Sequence, residues 1–231
     1  MINYLGNFQN SKYPRYSSPY ACQDQWICYV YFNVQNNRWE ISNNNRYICN
    51  RKNPAIANIV DIDYARPSTN CNNLIFILES PHICEYDLYT HMPYGPAQGK
   101  TGCNICRYLE NVLQNSFTNL KLNTSEEYRV VLLNAIQYQT SLGIKPLDKD
   151  IRDYVFKTLW NESIIKNDLI QRVRYFTNNN QHNVVCNLCT EGKCNPSLHD
   201  LVSLCLNNNS ITHHNGSHPS CWFNASNQTI V

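Results

Sequence analysis

Hydrophobic and polar positions change period along this chain, and the changes mark its elements. Residues 1–20 have few aliphatic side chains and read as a loose arm. Trp26–Val34 alternates and is rich in aromatics, and Asn36-Asn37 marks a turn. Arg38–Ile41 and Arg46–Cys49 read as short strands, so 22–50 is expected to be a small β-hairpin or meander. Ala55–Ile62 fits a helix or a strand equally. Pro67 to Asn73 is a loop feeding the stretch 74–79, Leu-Ile-Phe-Ile-Leu-Glu. That stretch is apolar until its last residue, the pattern of a strand buried on both faces. Ser80-Pro81 stops it, because proline has no N–H to give a ladder.

From there helices and strands alternate. Ile105, Leu109, Val112 and Leu113 recur at helical spacing, and Tyr128–Asn134 predicts a second strand. Asp148 is placed to cap a helix carrying Ile151, Val155, Phe156 and Leu159. Ile164 to Phe176 predicts another helix, with Arg172 and Arg174 near its end. Asn183–Leu188 predicts a third strand, Ser197 a cap for the helix through Leu198, Leu201, Val202 and Cys205, and Ile211–His213 a short fourth strand. This order gives an α/β fold with a mainly parallel sheet and helices on both faces. Right-handed crossovers put all the strand C-termini on one side. Glu79, Asn134 and His218 then come to one rim, the place where open α/β sheets bind ligands. The loop 80–102 holds Pro81, Pro93, Gly95, Pro96, Gly99 and Gly102. It is long for a compact domain and tied to regular elements at both ends, which favours a functional loop. Its start is dense in ionisable groups: Glu79, His82, Glu85 and Asp87.

Composition narrows the class. With 231 residues the chain is long enough to bury a core without disulfides or metal. Net charge is +2 and pI about 7.9, so nothing global points to nucleic acid, although a local groove can still be basic. No apolar run spans a membrane and the polar start is unlike a signal peptide, so a cytoplasmic protein is expected. Two CxxC pairs, Cys103/Cys106 and Cys186/Cys189, are followed by Cys194 and His199. They read either as zinc or iron–sulfur ligands or as small core residues, and their places in a helix start and in or beside a strand favour the core. His213 and His214 are strand-edge residues or metal ligands with Cys205 or Cys221 on the same reasoning.

Three stretches and a fourth between them resemble the uracil-DNA glycosylase superfamily. Leu132-Leu133-Asn134-Ala135 looks like that family's strand ending in the asparagine that reads the base edge. His218-Pro219-Ser220 is similar to its His-Pro-Ser motif after the last strand. Leu78-Glu79-Ser80-Pro81 stands where the family has its Gly-x-Asp/Asn-Pro water-activating loop, and Pro96–Gly102 resembles its Pro-Phe-x-Gly-x-x-Gly segment. The resemblance covers about residues 72–224, with the motifs in the family order. It implies a three-layer α/β/α sandwich with a mainly parallel four-stranded central sheet at 71–231, preceded by a β-containing N-terminal extension at 1–70.

Two departures shape the functional expectation. Ser80 stands in place of the acid or amide that orients water, so Glu79 is assigned that role, with Glu85 and Asp87 in reserve. Ala97 replaces the aromatic that stacks on the base, which implies a roomier pocket suited to a bulkier base; Tyr94 or Tyr86 is then left to provide the stack. His82 is a further base-contact candidate, or simply a turn histidine. The resemblance assigns His218 to the departing base, Asn134 to its edge, and Trp222 with Ser220 to the DNA, Trp222 as the side chain filling the vacated stack. Trp222 also reads as a core residue. Lys100, Arg107 and Lys193 are candidate phosphate contacts, or solvated surface charges.

The expected function is a monofunctional DNA glycosylase, acting as a monomer without cofactor on a flipped, hypermodified cytosine, as bacterial anti-phage glycosylases of this fold do with glucosylated hydroxymethylcytosine in phage DNA. Excision of uracil or another deaminated base, and a non-catalytic zinc-stabilised nucleic-acid-binding module, are the rival readings.

Overall fold

The structure, a computed structural model, describes residues 20–42, 71–82, 85–87, 89–90, 92–140, 148–178 and 182–231, with backbone only for 148–151. Arg46–Cys49, Ala55–Ile62 and the arm 1–19 lie outside the described residues. The elements run β1 (Gln25–Asn33), β2 (Arg38–Ile41), β3 (Asn72–Leu78), α1 (Lys100–Ser116), β4 (Glu127–Asn134), α2 (Asp148–Trp160), α3 (Ser163–Thr177), β5 (Val184–Asn187), α4 (Leu198–Asn208) and β6 (His214–Asn215).

They form one mixed six-stranded sheet in the order β2-β1-β4-β3-β5-β6. β4, β3, β5 and β6 are mutually parallel, as the alternation of strands and helices predicts. The sheet is nonetheless larger than the expected four strands. β1 pairs antiparallel with β4, setting Val30 opposite Tyr128, and β2 pairs with β1 in turn. The edge of β4 is therefore covered by the hairpin, which is the physical use of such an addition. The sequence pattern shows a hairpin but carries no signal for which edge it joins. The last strand also lies slightly later than Ile211–His213, at His214–Asn215.

The pleat sorts β3 and β4 between two cores. Leu74, Phe76, Leu78, Val130 and Leu132 meet Ile105, Leu109, Val112 and Leu113 of α1, together with Trp222 and Ile230 from the C-terminal segment. Ile75, Ile77, Val131 and Leu133 meet Val155, Phe156 and Leu159 of α2, Leu169 and Val173 of α3, and Leu198 and Val202 of α4. α4 starts on the expected cap: Ser197 Oγ accepts from Asp200 N at 3.0 Å, and Asp200 Oδ2 accepts from Ser197 N at 3.3 Å.

This wiring creates a switch point. The chain leaves β3 for β4 on one side, then crosses back through α2 and α3 to β5 on the other side. The crevice at the C-terminal ends of β3 and β5 is thus where the topology opens a site.

Candidate functional site

Four segments end at this rim: the residues after β3, the end of β4, the loop 92–99 and the turn after β6. β4 ends on Asn134, which is in register with Leu78 of β3 and so faces the α1 side. Its position is fixed from behind by Arg172, whose guanidinium donates to the carbonyls of Asn134 at 3.1 Å and Ala135 at 3.4 Å and also pairs with Asp24 and Asp168. Asn134 is buried, and among the described residues nothing accepts from its Nδ2. A buried amide without a partner is unusual and asks for a ligand or water.

His218 is held by its own turn. Ser220 N donates to Nδ1 at 3.2 Å, and the Ser220 hydroxyl lies 2.8 Å from the same nitrogen. A backbone N–H can only donate, so Nδ1 is the acceptor and the neutral ring carries its proton on Nε2. The residue is half-buried, but enough protein surrounds the ring that desolvation, helped by the nearby Arg152 cation, pushes its pKa down to about 4. His218 therefore presents a neutral Nε2–H donor at physiological pH. The turn itself is anchored to α1, because Asn104 Nδ2 donates to the carbonyls of Pro219 and Ser220, each at 3.0 Å.

Glu79, the residue assigned to orient water, is engaged elsewhere. Arg152 Nη1 donates to its Oε1 at 3.2 Å and Thr190 N to its Oε2 at 3.3 Å, so it ties β3, α2 and the segment after β5 together. Burial raises its pKa against the pull of Arg152. Arg152 also binds Asp153 Oδ1 through Nε at 2.8 Å, and Asp153 Oδ2 accepts from Lys193 N at 2.6 Å. Arg152 was invisible as a site residue, since one arginine on an amphipathic helix carries no signal. Ser80 is buried, and its hydroxyl is paired with that of Thr140.

Glu85 is the carboxylate around which the long loop is wound. Its Oε2 accepts from His82 N and its Oε1 from Ala97 N, both at 3.1 Å, while its own N–H goes to the His82 carbonyl at 2.8 Å. Two N–H donors aimed at two oxygens favour the charged form. Burial opposes them and wins, pushing the pKa up to about 8. The unfolded value is near 4.5, so the folded chain holds a proton that the unfolded chain has lost between about pH 4.5 and 8. Stability from Glu85 is thus complete below that window and falls as pH rises through it. Melting temperatures of the wild type and Glu85→Gln between pH 5 and 8.5 check this. The wild-type curve should decline more steeply with pH, and parallel curves would refute it.

The other assignments sort by geometry. Asp87 is half-buried and holds a turn through Thr90, Tyr89 and the Tyr94 hydroxyl; those hydrogen bonds lower its pKa. Tyr94 is accordingly tied to Asp87, and Tyr86 is buried with its hydroxyl 3.4 Å from the Tyr20 carbonyl. His82 gives its backbone N–H to Glu85. Ala97 sits at φ 59, a left-handed conformation costly for a side-chain-bearing residue, and is fully packed in the α1-side core. The expected room is therefore not at Ala97. A cleft of about 240 Å³ instead opens beside Gly95, lined also by Tyr20, Ala21, Gln23, Gln25, Met92 and Pro93. Gln25 pairs with Leu132, two residues before Asn134, so the cleft lies at the same end of the sheet.

Trp222 is corrected as a stack-filling residue. It has no exposed surface, lies edge-on to Phe76 and donates from Nε1 to the Ser217 carbonyl at 3.0 Å. Phe223, next in the chain, is 59% exposed and carries the Lys100 ammonium 4.6 Å above its ring. Trp222→Ala should cost about 3–5 kcal/mol of stability. Phe223→Ala should leave unfolding within about 0.5 kcal/mol of wild type. Urea unfolding of the two variants separates the buried from the exposed aromatic, and equal effects on stability would refute the distinction. Lys100, Arg107 and Lys193 are all exposed; Lys100 stands over the Phe223 ring, and the Arg107 guanidinium lies 6.0 Å from the Tyr108 ring centre.

The second CxxC pair cannot share an ion as placed. Cys186 enters the α1-side core and Cys189 the opposite one, because three residues along an extended segment reverse the face. Among the described residues no three His, Cys, Asp or Glu side chains group to hold a metal. Comparison with protein-family models, with curated proteins and with solved structures gave no match.

Proposed function

We propose that this chain is a monofunctional DNA glycosylase that hydrolyses the N-glycosidic bond of a flipped, modified base, acting on hypermodified cytosine in phage DNA. The observation that carries the reading is His218: a neutral imidazole whose Nδ1 is occupied by Ser220, which leaves the proton on Nε2, in the turn at the same rim as Asn134, whose buried amide nitrogen has no partner among the described residues. A base leaving with the electron pair of its glycosidic bond gathers negative charge. Preorganised neutral donors stabilise such charge without gripping a neutral ground state as strongly. Asn134 Nδ2 supplies a second donor.

The sugar left behind is cation-like, and water must add to its anomeric carbon while giving up a proton. Glu85 is the buried carboxylate at this rim without a paired cation among the described residues, whereas Glu79 is already neutralised by Arg152. With its pKa raised to about 8, Glu85 is mostly protonated near neutral pH, so the fraction able to take that proton grows as pH rises toward 8. The base reaches such a pocket only by leaving the stack. Phe223 is exposed beside Lys100, an aromatic and a cation suited to unstacked nucleic acid. The uncharged cleft beside Gly95 gives room on the same rim for a substituent on the base.

Incubation with phage DNA containing glucosylated hydroxymethylcytosine, with the unglucosylated DNA and with uracil-containing duplex, followed by detection of abasic sites, tests the reading. Abasic sites are expected in the modified DNA. Release of uracil alone would move the activity to repair, and no release from any of the three would overturn it.

A further inference from the structure

Gln98 carries a buried side-chain oxygen that nothing among the described residues satisfies. Its Nε2 donates to the Pro96 carbonyl at 3.0 Å. This bond settles which end of the amide is which, since the reverse orientation would set oxygen against oxygen. Oε1 is therefore an acceptor with no donor end available to turn toward a ligand. The loop that carries it is firmly held: Ala97, the preceding residue, sits at φ 59 with its N–H on Glu85, and α1 begins two residues later. The second orphan, Asn134 Nδ2, is a donor. Among the described residues, one buried acceptor and one buried donor thus remain open at this rim, and such groups are normally paired.

Their senses restrict what fills the site. An exocyclic amine on a pyrimidine puts N–H groups at the corner of the base edge, with a ring acceptor beside them for Asn134. A uracil edge places a carbonyl at that corner, which would set lone pair against lone pair at Gln98. We infer that Gln98 is a specificity-determining residue that selects a flipped base bearing an exocyclic amine and rejects its carbonyl counterpart. This inference rests on the glycosylase reading and adds to it the residue that selects the amine over a carbonyl.

The test uses the full chain and duplexes carrying one 2′-fluoroarabino nucleotide, which resists glycosidic cleavage, as cytosine, 5-hydroxymethylcytosine or uracil. Affinity is read by fluorescence anisotropy. The two amine-bearing duplexes should bind at least about tenfold tighter than the uracil duplex, the scale on which unpaired polar groups discriminate. Gln98→Met, shown to be folded by its melting curve, should bring the three within about threefold. Equal binding of all three by the wild type, the result expected if Oε1 is met only by water, overturns the inference even where the variant fails to fold. So does an undiminished preference in Gln98→Met. If the amine preference is found but cleavable versions never lose their base, excision falls and base selection by Gln98 stands.

Discussion

If the chain excises a base as proposed, His218→Ala is expected to slow single-turnover release by roughly two to three orders of magnitude, the usual effect of removing one preorganised donor from a developing negative charge. Stability should change little, because the ring is only half-buried and its turn is anchored through backbone carbonyls by Asn104. The pH dependence is specific. With a pKa near 4, His218 is already neutral at pH 5, so its contribution should be constant from there upward and should not grow on acidification toward pH 6. A protonated imidazole donor with an ordinary pKa would behave in the opposite way. Ser220→Ala removes the hydroxyl from Nδ1 but leaves the Ser220 N–H, and should cost only several-fold. Release by His218→Ala within threefold of wild type would remove His218 from the mechanism.

The second large effect is on stability. Arg152→Met should destabilise the fold by about 3–5 kcal/mol, because it leaves buried carboxylates without their cation, and should lower the melting temperature by roughly 10 °C for a chain of this size. Glu79 and Asp153 are both buried, and both depend on this one guanidinium. The deficit should be largest near neutral pH and shrink toward pH 5. Without Arg152, burial holds the folded-state pKa of Glu79 further above its unfolded value, so stability is retained at low pH and lost as pH rises. Adding Glu79→Gln to Arg152→Met removes one of the stranded charges and should recover part of the loss. A deficit below about 1 kcal/mol, the scale of an exposed pair, would refute the buried triad.

The candidate site was legible to unequal degrees. Asn134 and His218 are legible as candidates because each follows a recognisable strand or stands in a short motif, and both lie at the C-terminal rim of the sheet. Glu79 was assigned from its place beside Ser80-Pro81. Its engagement by Arg152 and Thr190, 73 and 111 positions away, is set by contacts that local patterns do not carry. Trp222 and Phe223 are adjacent aromatics of similar hydrophobicity, and only packing against Phe76 decides which one is inside. Gln98 is an unremarkable residue in sequence, and its meaning lies in one hydrogen bond that is made and one that is missing.

The sequence by itself determined the succession of elements from residue 71 onward, the parallel core of the sheet, the cap at Ser197 and the faces that enter the two cores. These follow from periodicity and local hydrogen bonding, which act over a few residues. Tertiary structure alone decided that the hairpin closes the edge of β4 and that Arg152 neutralises Glu79. It also decided that Glu85 is buried among backbone donors, and that Cys186 and Cys189 part to opposite cores. Each of these depends on which distant groups share a small volume, and the cost of burying charge and unpaired polar atoms selects the arrangement only once the chain has closed around them.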